Sequence, residues 1–230
     1  KEGESRSNPS GVWNDYTGVW HMSIVDGRVP ESAHGYDGVV SNVVQVQSAQ
    51  GVVGGSYFNP SQDAGATPPS VSVEDANGVY DAFDALPGEM TFSSWVKYTG
   101  VSSAGAYGSW WNTCQTEHYT GMYGLDYALE GSAVRVSLTD MGTRAASISC
   151  PSLSGDWHQV VVSYAGGHRK VYIDGCLYPG FDNCENARYV PTPRSWNKKW
   201  FFGNRSFANT FAQSQWVGGL DEFRAYPGAL

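Results

Sequence analysis

Apolar and polar residues alternate most regularly between Asp156 and Cys176, where two short runs flank a Gly-Gly pair. The runs His158–Tyr164 and Lys170–Ile173 each place successive side chains on opposite faces of an extended chain. A period of two residues on both sides of a Gly-Gly pair indicates a β-hairpin. Asp174-Gly175 follows the second run directly and predicts another tight turn. This stretch therefore predicts an antiparallel sheet.

Extended patterns recur along the chain, whereas helical periodicity is rare. Met90–Gly100 is apolar enough for a central strand buried on both faces, and Val134–Leu138 alternates cleanly. The best helical candidate, Val73–Leu86, is interrupted by Gly78, so we predict a single turn or a loop there. We predict an all-β chain of about a dozen strands in two packed sheets. Further strands are predicted at Val19–Met22, Val39–Val46, Gly51–Phe58, Val71–Val73, Ala145–Ile148, Trp200–Gly203 and Leu220–Tyr226.

The spacing of turn signals bears on domain organisation. Because turns recur evenly and no linker separates two cores, we predict a single domain over residues 12–230 after a linker or disordered remnant at 1–11. The chain starts with KEGESRSNPS and lacks an initiator Met, so we interpret it as a mature fragment or excised domain of a larger protein. No apolar run approaches the roughly 20 residues that span a bilayer.

The composition suits a β protein, and the net charge argues against two kinds of binding partner. The 28 Gly, nine Trp and fourteen Tyr among 230 residues suit short strands joined by many turns. The formal net charge of −8 argues against a nucleic acid or an anionic membrane as partner, because the electrostatic energy of association would be unfavourable. We expect a monomeric module.

The four cysteines match no zinc-binding template. Cys176 and Cys184 enclose only LYPGFDN, which is short enough to close locally, and Cys114 and Cys150 remain as the second pair. Two disulfides in an acidic, aromatic-rich β protein predict an oxidising compartment, either secreted or at the cell surface. The alternative is four buried free thiols.

Aromatic residues are dense in Gly-interleaved sequence that is typical of loops. Sugars stack their C–H faces on Trp and Tyr rings, while carboxylate and amide groups bond their hydroxyls. The alternative is that such rings fill the core, as we expect for Trp20, Trp95 and Trp157 in apolar strands. The candidate ligand-binding residues are Trp110, Trp111, Asn112, Tyr119, Tyr123, Asp126 and Trp196.

Six motifs follow one another in a recognisable order. They are Gly18–Met22, Val53–Phe58, Met90–Lys97, Gly155–Tyr164, Lys170–Gly175 and Gly218–Leu230. Together they resemble the laminin-G-like (LamG) branch of the concanavalin A-like lectin and glucanase superfamily, over nearly all of residues 12–230. The resemblance implies a jelly-roll β-sandwich of two curved antiparallel sheets, extracellular placement in a large bacterial secreted or surface protein, and carbohydrate binding or cell adhesion.

The resemblance also implies a structural calcium ion. In similar jelly rolls, the Asp that matches Asp221 helps to hold Ca²⁺ together with backbone carbonyls, here from near Asp26 and Gly54–Ser56. One carboxylate with carbonyls and waters can supply the hard oxygen ligands that Ca²⁺ requires. The alternative is that Asp221 bonds backbone amides. Glu222 alternates to the opposite face and is expected to meet solvent.

Catalytic motifs of related jelly rolls are missing from the sequence. Glycoside hydrolases of this type carry an ExDxE or ExDxxE strand, which places an acid and a nucleophile on one face. That motif, the residues of polysaccharide lyases and a GxSxG elbow are all absent. We therefore expect a non-catalytic carbohydrate-binding, lectin-like module of a larger extracellular protein, with a glycan or polysaccharide ligand. An adhesion, protein-interaction or spacer domain is the alternative, and a glycoside hydrolase or lyase is less favoured.

Overall fold

The computed structural model describes residues 9–41, 47–60, 69–73, 89–101, 107–113, 122–128, 133–139, 146–149, 153, 155–165, 168–178, 200–203 and 216–230. These residues form one short helix, α1 (Pro9–Trp13), and sixteen strands, which confirms the all-β class. Within these ranges, no helix has the length and apolar character needed to cross a bilayer. The strands are β1 (Gly18–Trp20), β2 (Arg28–Val29), β3 (Gly38–Ser41), β4 (Gln47–Gln50), β5 (Gly55–Asn59), β6 (Ser70–Val73), β7 (Glu89–Val101), β8 (Tyr107–Thr113), β9 (Met122–Ala128), β10 (Ala133–Thr139), β11 (Ala146–Ser149), β12 (His158–Ala165), β13 (His168–Ile173), β14 (Cys176–Tyr178), β15 (Trp200–Phe202) and β16 (Trp216–Tyr226).

The strands pair into two antiparallel sheets. Sheet 1 has the order β14-β13-β12-β7-β16-β5-β4, and β1 also pairs with β16. Sheet 2 has the order β11-β10-β9-β8-β15-β6-β3-β2. The chain passes from one sheet to the other between β5 and β8, because β5 and β7 lie in sheet 1 while β6 and β8 lie in sheet 2. This arrangement is the predicted jelly-roll sandwich.

The hairpin predicted from the strongest alternation is confirmed. Strand β12 pairs with β13 from Val160↔Ile173 to Ala165↔His168. Strand β13 then pairs with β14 across Asp174-Gly175. Both turn residues have positive φ, 51° at Asp174 and 78° at Gly175. Positive φ at both positions is the requirement of a two-residue type I′ turn.

Aromatic side chains bridge the two sheets in the core. The rings of Trp20 in β1 and Trp200 in β15 have centroids 5.4 Å apart. The rings of Phe223 in β16 and Phe202 in β15 are 4.9 Å apart and edge-on. All four side chains are buried. Such a pair contributes about 0.5–1.5 kcal/mol beyond the burial of its area, so these contacts join the sheets as well as filling the space between them.

Two expectations about the aromatic residues need correction. The segments interpreted as aromatic loops form β8 and β9, which pair with each other and with β15 and β10. Aromatic side chains favour the pleated surface of a sheet, and this preference outweighs the nearby glycines. Trp95 and Trp157, assigned to the core, are instead half-buried.

Candidate functional site

Strands β8 and β9 bring together four of the residues predicted to bind a ligand. Trp111 and Asn112 of β8 pair with Leu125 and Gly124 of β9. Two further pairs are Thr113↔Tyr123 and Ser109↔Asp126. Trp111, Asn112, Tyr123 and Asp126 thus share two neighbouring strands within sheet 2, and we name these four residues the β8–β9 patch. Because successive residues of a strand alternate between its faces, Trp111 and Tyr123 belong to one face, and Asn112 and Asp126 to the other. Their proximity is a consequence of strand register, since nine residues separate Asn112 from Met122 along the chain.

Trp110 has a structural role, contrary to its prediction as a sugar-stacking ring. The register shifts between Ser109 and Trp111, so Trp110 lies at a β-bulge. Its side chain is fully buried and its ring packs edge-on against Trp216 of sheet 1 at 5.6 Å. A ring without exposed area cannot stack on a sugar. The predicted residues Tyr119 and Trp196 lie outside the described residues.

Asp221, the predicted calcium ligand, accepts hydrogen bonds from backbone amides. Its Oδ2 accepts from the N–H groups of Val52 at 2.7 Å and Val53 at 3.0 Å, and its Oδ1 accepts from Glu222 N–H at 2.9 Å. Burial raises the pKa of Asp221, although the hydrogen bonds from Val53 and Val52 oppose this shift. The carboxylate thus holds the turn at residues 51–54, which is the alternative that the sequence left open.

The calcium ion itself stays a prediction. Asp26, the other predicted ligand, is exposed in a tight turn with a φ of 49°. Within the described ranges, no group of three or more His, Cys, Asp or Glu side chains could hold a metal ion. Any calcium at Asp221 would therefore depend on backbone carbonyls and waters for its other ligands.

The predicted disulfide between Cys176 and Cys184 is not formed, and the one between Cys114 and Cys150 stays a prediction. Cys176 opens β14 as an exposed, free thiol. Cys114, Cys150 and Cys184 lie outside the described residues.

Glu222 is buried, contrary to the expectation that it meets solvent. Against β7 the register shifts between Asp221 and Arg224, and Glu222 has a φ of 50°. This extra residue breaks the alternation of β16, so the side chain does not follow the simple period of two. Glu222 retains only 2% of its side-chain exposure. A lone acidic residue in a strand offers no sequence signal for such a bulge.

The side chains of His21 and Arg224 both contact Glu222. Its Oε1 lies 2.5 Å from Nδ1 of His21, and its Oε2 accepts a hydrogen bond from Nη2 of Arg224. Burial alone would raise the pKa of Glu222, but the hydrogen bonds from His21 and Arg224 outweigh it and hold the pKa below its usual value. The hydrogen bond to Glu222 raises the pKa of His21, against an opposing effect of burial.

Aromatic rings of the N-terminal segment pack around these cations. The guanidinium of Arg224 lies over the ring of Trp13, 5.1 Å from its centroid, and His21 meets the same ring edge-on at 5.9 Å. Tyr16 contacts Trp13 at 5.3 Å and Tyr226 at 5.4 Å, both edge-on. We name this group the Glu222 cluster. Its members are Trp13, Tyr16, His21, Glu222, Arg224 and Tyr226.

The Glu222 cluster lies on the face of sheet 1 opposite the core. Its β16 neighbours Phe223 and Ala225 are buried in the core, so Arg224 and Tyr226 alternate outward. The side chains of His21 and Arg224 keep 37% and 35% of their exposure, and Tyr226 keeps 38%. The cluster is thus a partly exposed surface built over a buried carboxylate, and the sequence pattern did not predict it.

Comparison with known proteins identifies the fold family. A family model described as the concanavalin A-like lectin/glucanases superfamily matches residues 62–230. A search of curated proteins found no match. Among solved structures, the chain is similar to a Trypanosoma rangeli sialidase in complex with the inhibitor DANA, with 14% identity, a TM-score of 0.62 and coverage of 93% of this chain and 30% of that one.

Two botulinum neurotoxin structures are also similar. The serotype D binding domain matches with 14% identity and a TM-score of 0.63 over 97% of this chain and 50% of that one. A type C neurotoxin, described as entering cells through interaction with two ganglioside molecules, matches with 15% identity and a TM-score of 0.60 over 96% and 50%. This chain therefore spans between about a third and a half of these proteins, and at such identities the likeness concerns the fold alone.

Proposed function

Because the chain belongs to the concanavalin A-like lectin/glucanase superfamily, we propose that it is a non-catalytic carbohydrate-binding module of a larger extracellular protein. The observation that carries this proposal is the register of β8 and β9, which brings Trp111 beside Tyr123 on one face of the two strands and Asn112 beside Asp126 on the other. These residue types are those that bind sugars, since rings stack on C–H faces and amides or carboxylates bond hydroxyl groups.

The solved structures support a glycan as the class of ligand. The type C neurotoxin is described as dependent on gangliosides, and the Trypanosoma rangeli enzyme has been captured with sialic acid. Both share the sandwich fold with this chain at 14–15% identity. A shared fold does not transfer a ligand, so the chemistry of the β8–β9 patch supplies the residues for the proposal.

The state of the buried carboxylates supports a non-catalytic role. Among the residues whose side chains are described, three carboxylates are buried, Glu31, Asp221 and Glu222. Glu31 and Asp221 accept backbone N–H bonds, and Glu222 pairs with His21 and Arg224. A general acid or a nucleophile must reach the glycosidic bond, whereas each of these groups is committed to a contact within the fold.

Affinity electrophoresis against a panel of plant and host polysaccharides tests the proposal. We expect retardation by at least one polysaccharide, and we expect Tyr123→Ala to weaken it about tenfold, corresponding to roughly 1.4 kcal/mol. Tyr172→Ala is the matched control, because Tyr172 is a half-buried tyrosine on β13 of sheet 1. Thermal melts of both variants establish that they are folded. Absence of retardation on every polysaccharide, or equal loss in both variants, would contradict the β8–β9 patch.

A protein-interaction role is the second candidate, and one surface favours it. Val52 and Val53 are 40% and 56% exposed in the turn that Asp221 holds, and Val25 is 54% exposed. The hydrogen bond from Ser23 Oγ to Gly55 O joins the two segments. Exposed apolar side chains on two segments that are joined in this way suit contact with another protein. If Val53→Asp abolished capture of a protein partner while glycan binding was undetectable, this second function would replace the first.

A further inference from the structure

We propose that the Glu222 cluster is a second binding site, specific for carboxylated sugars. In this site His21 and Arg224 bind the carboxylate of the sugar, while Tyr226 and Tyr16 contact its ring. The site lies on sheet 1, whereas the β8–β9 patch belongs to sheet 2. Evidence against one site would therefore not count against the other.

The cationic side chains of the cluster lie nearer the surface than its carboxylates, which favours an anionic ligand. Glu222 and Asp221 keep 2% and 0% exposure, whereas the side chains of His21 and Arg224 keep more than a third. A ligand approaching the surface therefore meets two positive groups first, with the negative groups beneath them. Asp221 is further satisfied by three amide N–H bonds. In a chain of net charge −8, this surface is locally favourable to a carboxylate.

Glu222 also orients the donors that a carboxylate needs. It occupies Nδ1 of His21 and Nη2 of Arg224. Among the described residues, no other hydrogen-bond partner contacts either side chain, which leaves Nε2 of His21 and Nη1 of Arg224 for a ligand. Protonated imidazole and guanidinium groups form short, charge-assisted bonds to carboxylates. Because one buried acceptor holds both groups in place, less conformational entropy is lost when a ligand binds.

The aromatic rings add the contacts that separate a sugar from a simple anion. Tyr226 is 38% exposed, and Tyr16 packs edge-on against it at 5.4 Å. Trp13 supports Arg224 from one side by a cation–π contact. Backbone contact between Thr17 N–H and the Ala225 carbonyl at 2.8 Å anchors the segment that carries Tyr16 and Trp13 beside β16. Rings next to paired cations suit a sugar ring that carries a carboxylate.

Isothermal titration with trigalacturonic acid, its methyl ester and neutral galactotriose tests the site in the unaltered chain. The ester removes only the charge, so we expect the free acid to bind at least tenfold more tightly than the ester or galactotriose. Raising the salt concentration from about 50 to 500 mM should lower the affinity for the acid only, because salt screens exposed charge pairs. Equal affinities for acid and ester would overturn the proposal. Equal binding of acetate or of a triaspartate peptide would overturn its assignment to sugars.

Two variants locate the binding. Arg224→Lys keeps a positive charge beside Glu222 but loses the two-pronged guanidinium. We expect the affinity for the acid to fall at least fivefold and the affinities for the ester and galactotriose to stay unchanged. Arg28→Lys is the control, since Arg28 is exposed on β2 of sheet 2. Tyr226→Ala should weaken the binding of trigalacturonic acid without affecting the binding of glycans by the β8–β9 patch. If Tyr123→Ala abolished acid binding and Arg224→Lys did not, the acid site would belong to the patch and this proposal would be wrong.

Discussion

Two buried glutamates in this molecule are satisfied in opposite ways. Glu31 keeps 7% exposure and accepts five backbone N–H bonds, from Val19 at 2.7 Å and from Ala33, His34, Gly35 and Tyr36 at 2.5–3.4 Å. Glu222 keeps 2% exposure and is neutralised by the side chains of His21 and Arg224. The partners of Glu31 are backbone N–H groups, whereas the partners of Glu222 are side chains that reach solvent.

The difference shows why burial of a carboxylate does not by itself mark a binding site. Amide donors belong to the loop they hold, so Glu31 ties the loop at residues 31–36 to β1 and has no group to offer a ligand. Cationic side chains can accept a second anion on their exposed side, so the Glu222 cluster can act at the surface.

Removing the carboxylate of Glu31 should have the largest effect on stability. Glu31→Ala leaves five N–H groups without their acceptor, three of them in the buried or half-buried residues Val19, Ala33 and Tyr36. We expect the free energy of unfolding to fall by about 3–5 kcal/mol. Urea denaturation measures this change. Glu89→Ala, at the exposed start of β7, is the control and should change stability by less than about 0.5 kcal/mol. A similar small change for Glu31→Ala would show that the loop does not depend on this carboxylate.

Neutralising Glu222 should lower the free energy of unfolding by less than the removal of the Glu31 carboxylate does. Glu222→Gln keeps the shape but removes the charge between His21 and Arg224, and we expect a loss of about 1–2 kcal/mol in urea denaturation. The loss is limited because both cations are more than a third exposed and can be hydrated instead. A loss as large as that of Glu31→Ala would mean that the two glutamates play the same structural part.

Calcium removal separates the two roles of Asp221. If a calcium ion binds there as predicted, EDTA should lower the melting temperature by about 2–4 °C, which corresponds to roughly 1 kcal/mol for a chain of this size. Added CaCl2 should restore it, and added MgCl2 should not. An unchanged midpoint would leave Asp221 with its amide contacts to Val52, Val53 and Glu222 alone.

The dependence of stability on pH should be the smallest effect and specific to the Glu222 cluster. The raised pKa of His21 adds stability that is complete below its ordinary value of 6.5 and is lost as pH rises through the raised value. The lowered pKa of Glu222 adds stability above 4.5 that is lost as pH falls through the lowered value. The stability difference between the wild-type chain and His21→Gln should thus be greatest between pH 4.5 and 6.5. A difference independent of pH would rule out the ion pair.

Much of the fold was predictable because its signals are local. The alternation of β12 and β13 depends on neighbouring residues, and the turn at Asp174-Gly175 requires residues that tolerate positive φ. The order of motifs placed these strands in the correct superfamily. Strands β8 and β9 escaped prediction because glycines between aromatic residues are also typical of loops.

What the sequence determined by itself was where strands and turns form, since these follow from the period of apolar residues and from backbone preferences over a few positions. Which polar groups are buried, and which side chains neutralise them, depends on contacts between residues that are far apart in the chain. Pairing of β1 with β16 brought His21 to Glu222 across 201 positions of the chain, and His21 and Arg224 cover this carboxylate on the outer face of sheet 1. Packing against Trp216 of sheet 1 buried Trp110, and the register between β8 and β9 brought the β8–β9 patch onto neighbouring strands. Register between distant strands depends on the packing of whole sheets, and no short segment contains that information.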